Sequence, residues 1–128
     1  MIITDIGYGL SGLVGLGIVF IGARFLLAPG TAAAGYGVPV SPGIGSAAAY
    51  LAVKGVRDIA SGLFVFILIA AQDPRVLGWV MLAATIIPVA DAVIVITHHG
   101  PNATAYGVHG ATAAFMLATA SLLLASPH

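Results

Sequence analysis

Apolar residues run along this chain in four stretches, separated by short clusters of glycine, proline and polar residues. The stretches cover residues 6–28, 46–71, 74–98 and 104–125. Each reaches the roughly 20 residues that a helix needs to cross the hydrocarbon core of a bilayer. Backbone groups in lipid must be paired within a helix or a closed barrel, and no short-strand alternation of polarity is present. The pattern predicts an all-α fold: a single domain over residues 1–128 built as a four-helix transmembrane bundle.

The connections are unequal. Gln72 to Pro74 reads as a tight turn, with Pro74 suited to a first helical turn. Residues 98–104, His-His-Gly-Pro-Asn-Ala-Thr, read as a second turn, broken by Gly100 and Pro101. Between the first two stretches lies a long Gly/Pro-rich loop, residues 29–45, with three prolines, five glycines and no charge. Loops of that length in compact folds are often functional. Pro88 interrupts the third stretch, where it removes a backbone hydrogen bond to Ala84 and predicts a kink. In the first stretch Gly7, Ser11 and Gly15 form a ridge of small residues. Such ridges let helices pack closely within a bundle, and a homo-oligomer is the alternative use.

Composition supports the membrane reading. Hydrophobic residues make up 60% of the 128 positions and charged residues 6%, against about 25% charged in a typical soluble domain. So few charges would not keep a soluble surface dispersed. The expectation is a multi-pass integral protein of the cell membrane, surrounded by lipid. A net charge of zero gives no reason to expect nucleic acid as a partner. With no cysteine there is neither a disulfide framework nor a thiolate metal site. The first stretch has Asp5 as its only flanking charge and lacks the basic leader of a cleaved signal peptide, so it is expected to stay in the mature protein.

Against this background residues 54–63, Lys-Gly-Val-Arg-Asp-Ile-Ala-Ser-Gly-Leu, stand out. Lys54, Arg57, Asp58 and Ser61 follow the i, i+3, i+4, i+7 spacing of one helix face, which Tyr50 extends. A charge near the centre of a membrane helix costs about 2.5–3.5 kcal/mol even on insertion-based scales, so three together need partners. Lys54 and Asp58, four apart, can pair along the helix. Arg57 needs an acceptor from another helix, and Asp91 is available.

The segment, within a short chain of four hydrophobic stretches, resembles a family of small four-helix integral membrane proteins of unknown function that neighbours the DoxX-like membrane proteins. Gly55, Arg57, Asp58 and Gly62 carry the resemblance. It implies the four-helix fold and no particular activity.

Alternate stretches run in opposite directions. Arg24, Tyr50, Lys54, Arg57, Asp58, Asp91, His98, His99, Tyr106 and His109 therefore fall in the same half of the membrane, toward the long loop. The expectation is one polar pocket, opening toward that loop, that binds a small lipophilic molecule. Asp91, His109 and Asp58 are the candidate catalytic groups. Arg57, Lys54, Arg24, Tyr50, Tyr106 and His98 are the candidate ligand-binding groups. Three fixed positive charges against two carboxylates point to an anionic or oxygen-bearing ligand. Proton transfer with oxyanion stabilisation would then support an isomerase- or cyclase-type reaction without a metal or cofactor. A proton-coupled transporter is a second reading, since buried Asp and His serve proton relays. Haem ligation by His98, His99 or His109 is a third, and a structural subunit with a buried salt-bridge network a fourth.

Overall fold

The computed structural model describes residues 2–40 and 45–127. Helix α1 (Ile2–Leu27) is followed by a short helix α2 (Pro29–Tyr36), and α3 (Gly45–Ala70) runs back along α1. The third stretch is divided into α4 (Pro74–Ala84) and α5 (Ile86–Thr97). The last begins as a single turn, α6 (Asn102–Thr104), passes through a π-helical segment (Ala105–Gly110) and ends as α7 (Ala111–Leu124). Three helical stretches are long and apolar enough to cross a membrane: Ile2–Leu27, Pro74–Thr97 and Asn102–Leu124. This is a helical membrane protein. The fourth long helix, α3, has the length of a crossing helix, but it carries three charges, Lys54, Arg57 and Asp58, where none of the other three stretches carries more than two.

The expected loop at 29–45 is the main correction to the predicted fold. Residues 29–36 are helical, with Pro29 at the start, where its missing N–H costs nothing. Gly37 ends the helix at φ 100°, a left-handed conformation, and its N–H returns to Ala33 and Ala34. The helix is held from outside: Ala32 and Ala33 are buried with Phe25, against Tyr36, Val40 and Leu51. Residues 37–40 are a turn and irregular chain, residues 41–44 lie outside the described residues, and Gly45 opens α3.

Close packing of α1 on α3 runs along two pairs of glycines seven residues apart. A Cβ on Gly22 would sit 2.5 Å from the Gly55 carbonyl, and one on Gly62 would sit 2.7 Å from the Gly15 carbonyl. The backbones therefore touch where side chains would otherwise separate them. The small-residue ridge divides its work. Gly7 and the fully buried Ser11 face inward, Gly7 against Leu123, while Gly15 meets Val65 and Phe66 of α3. A second core closes the end remote from α2, formed by Val65, Leu77, Met81, Met116, Ala120 and Leu123.

Turns follow local chemistry. Asp73 caps α4 by accepting from the backbone N–H of Arg75 and Val76, and Pro74 occupies the first turn. The third stretch breaks at Thr85, three residues before Pro88. Buried hydroxyls of Ser11, Thr85 and Thr119 each donate to the carbonyl four residues earlier. Among the described residues no buried side-chain polar atom lacks a partner.

Candidate functional site

The groups that converge do so under α2. Lys54 and Asp58 form an ion pair of 2.7 Å along α3, with side chains 31% and 13% exposed. The spacing of four places ammonium and carboxylate one turn apart, as expected. The ammonium also lies 4.6 Å from the ring centre of Phe25 and 5.0 Å from that of Tyr36. Two aromatic faces thus shelter the one fixed cation of the cluster.

His109 reaches the same place from the π-helical segment. Its Nε2 donates to the Tyr36 carbonyl at 2.8 Å, and its ring lies 4.5 Å from the Tyr36 ring. A carbonyl only accepts, so Nε2 carries a proton. Nδ1 is left facing Asp91, 3.9 Å from Oδ2. Tyr36 completes the group. Burial pushes its phenol above the ordinary value, and the hydrogen bond to Asp91 and the charges of Asp91 and Asp58 push it further. The hydroxyl therefore stays protonated at neutral pH and acts as a donor.

The sign of that shift makes a prediction. A phenol raised in the fold contributes stability below its unfolded value of about 10, and that contribution is lost as pH rises through the folded value. Tyr36→Phe is expected to leave the phenolate absorbance developed by about pH 11 unchanged, and to flatten the alkaline loss of thermal stability. A drop in that absorbance would show Tyr36 ionising normally.

Each element has a local reason to present its group. The π-helical segment inserts one extra residue per turn, a feature found frequently at functional sites. Its His109 is buried while the flanking Tyr106 and Val108 are exposed. A one-residue interruption at Thr85 separates α4 from α5, and α5 packs mainly on the π-helical segment and α7, while α3 packs on α1. Asp58 and Asp91 thus stand on helices that belong to different pairs. The Asp91 side chain remains 20% exposed.

Other expected members are elsewhere. Arg57 points outward and makes no side-chain hydrogen bond or ion pair among the described residues, so it pairs neither with Asp91 nor with Asp58. The spacing from Lys54 to Ser61 spans a face about 100° wide at 3.6 residues per turn. Lys54 and Asp58 take its inner margin, and Arg57 falls on the outer one. Arg24 is exposed near the end of α1. Tyr50 and Tyr106 are 76% and 66% exposed. His98 and His99 belong to the end of α5. The His98 Nδ1–H donates to the Ile94 carbonyl, and His99 takes the left-handed position, φ 59°, that closes the helix. No three His, Asp or Glu side chains converge as a metal site among the described residues.

These placements reverse the expected charge balance. Without Arg24 and Arg57 the cluster holds one fixed cation, Lys54, against two carboxylates, Asp58 and Asp91. The positive excess that pointed to an anionic ligand is not there. Phe25 and Tyr36 were missed as members. Tyr36 had one legible signal: it is the sole aromatic residue in 29–45.

No curated protein and no solved structure matches this chain. A family model, however, spans most of it, from the packed half of α1 through α7, including every residue of the cluster. By that match over residues 15–123, the chain belongs to the family described as Domain of unknown function (DUF4267).

Proposed function

We propose that α3 is a fourth crossing helix and that Tyr36, Asp91 and His109 form an intramembrane acid–base site for a small lipophilic, oxygen-bearing molecule. The glycine contacts support a depth. Gly15 lies near the middle of α1 and meets Gly62, so Gly62 marks the mid-plane on α3. Asp58 then lies about 6 Å and Lys54 about 12 Å from the mid-plane, toward α2. Both fall within the hydrocarbon half-thickness of about 15 Å. Ionisable groups at such depth are costly and generally functional.

One observation carries the reading: the Tyr36 carbonyl holds His109 by Nε2 and leaves Nδ1 toward Asp91. That arrangement orients an imidazole to take or return a proton next to a carboxylate. Tyr36 would turn its one O–H from Asp91 to a substrate oxygen, and Lys54, steered by Asp58, would stabilise negative charge growing there. The chemistry that fits is proton-transfer isomerisation or ring closure and opening. The ligand suited to the observed charges is neutral and oxygen-bearing rather than anionic.

Native mass spectrometry of the protein released in mild detergent tests this. The expected result is a retained non-lipid mass that Asp91→Asn and His109→Ala both lose, while far-ultraviolet circular dichroism stays helical. Once that molecule is identified, either substitution is expected to slow its conversion by about 10²–10⁴-fold. A wild-type protein that carries only bulk lipid overturns the reading. The net negative balance of the cluster, which suits a mobile proton, favours a proton-coupled carrier as the second reading. Bare protein that dissipates a pH gradient in vesicles, and ceases to do so with Asp91→Asn, would establish it.

A further inference from the structure

The outward arginine of α3 needs its own account. Arg57 lies at one end of a shallow groove lined by Ala52, Val53, Val56 and Arg57. Val53 and Val56 are 44% and 57% exposed. The guanidinium has no acceptor within the chain among the described residues. If α3 crosses the membrane, as proposed above, Arg57 starts about 8 Å from the mid-plane, within hydrocarbon. An unpaired cation there must either reach the interface or be met by an anion.

The direction of α3 decides how it reaches. Side chains on a helix lean toward its N-terminus. The N-terminus of α3 lies on the α2 side, so Arg57 leans along the groove and outward, toward the headgroups. The Gly22–Gly55 contact sets the register of the two helices. It brings Arg24, a second exposed arginine without a side-chain partner among the described residues, level with Val53. Arg24 lies two residues past Gly22, about 200° round α1 from the face against α3, so Arg57 is the cation that stands beside the groove.

We propose that this groove binds one anionic phospholipid, with its phosphate on Arg57 and an acyl chain against Val53 and Val56. A guanidinium presents two parallel N–H donors to phosphate, which an ammonium cannot do. A second copy of the chain is a poorer occupant. A two-fold axis through this face would set Arg57 against its own counterpart. The exposed acids Asp5 and Asp73 lie at the opposite membrane end.

The test is native mass spectrometry of the protein in mild detergent, titrated with phosphatidylglycerol and, separately, phosphatidylcholine. The expected result is a single phosphatidylglycerol adduct, favoured over phosphatidylcholine and weakened about tenfold by Arg57→Ala. Arg57→Lys should recover part of that loss, and Val56→Trp, which fills the groove and keeps the charge, should also weaken the adduct. Equal binding of both lipids, or a phosphatidylglycerol adduct indifferent to both Arg57→Ala and Val56→Trp, overturns the proposal. So does a dimer that Arg57→Ala dissociates. Both proposals rest on α3 crossing the membrane, but Arg57 touches none of the Tyr36–Asp91–His109 cluster, so failure of the acid–base site leaves the lipid site standing, and the reverse.

Discussion

Leucine in place of Gly62 is expected to part α1 from α3 and leave little folded protein to purify. The reason is a backbone contact. A Cβ at Gly62 would meet the Gly15 carbonyl at 2.7 Å and the methyl groups of Val19 and Ile18. Real Cβ atoms do not approach so closely, and neither helix can retreat without losing the paired contact at Gly22 and Gly55. Overpacking in a well-filled core typically costs about 1–3 kcal/mol. Here the obstacle is main chain, which cannot change rotamer, so a loss of about 3 kcal/mol or more is expected, a large share of a typical domain's stability. The partner helix α1 supplies the control. Gly12 and Gly17 have nothing within 4 Å of a built Cβ. Gly17→Leu is therefore expected to leave thermal stability within about 0.5 kcal/mol of the wild type. Equal damage from Gly62→Leu and Gly17→Leu in a thermal unfolding assay would remove the glycine contact as the organising feature of this pair.

The second large effect is expected from Lys54→Met. It strands Asp58 beside Asp91 with no fixed cation between them. Removing one partner of a buried pair costs about 3–5 kcal/mol, because the other charge stays behind. The Lys54 side chain is 31% exposed, so water or headgroups recover part of this and about 2–3 kcal/mol is the expected loss. The double variant Lys54→Met/Asp58→Leu should recover most of it, since neither charge is left alone. It should nevertheless fail to retain the molecule sought at the cluster. A double variant as unstable as the single one would show that the pair itself holds the fold, as a structural network would.

How much was legible before the structure depends on how local each cause is. The turn at Asp73 and Pro74 and the break near Pro88 come from residues acting on their immediate neighbours, and sequence patterns read those well. Helix α2 was not legible as a helix. Its eight residues hold a proline and two glycines, and its stability comes from Phe25 and Leu51 on other helices. The cluster was half legible. Lys54, Asp58, Asp91 and His109 were named from depth and spacing, because a charge in an apolar stretch is conspicuous. Arg57 was assigned to the wrong side because periodicity defines a face and not its centre. A reading begun from Gly55 and Gly62 would have done better: they mark the side against α1, and Arg57, two residues past Gly55, lies about 200° round the helix. Tyr36 joins through its main-chain carbonyl as well as its ring, and no pattern of side-chain types announces a carbonyl.

The π-helical turn at Ala105–Gly110 separates what the last helix does for the fold from what it does for the site. An i to i+5 turn is an α-helix holding one surplus residue. Lose one residue from it and the helix closes into ordinary α geometry. The segment before it then swings by about 100° relative to α7. Ala113, Met116, Ala120 and Leu123 would keep their seats in the core, while His109 could not keep both Tyr36 and Asp91. A chain of this family that lacked the surplus residue would inherit the bundle as bare architecture, and one that kept it could share the site's chemistry.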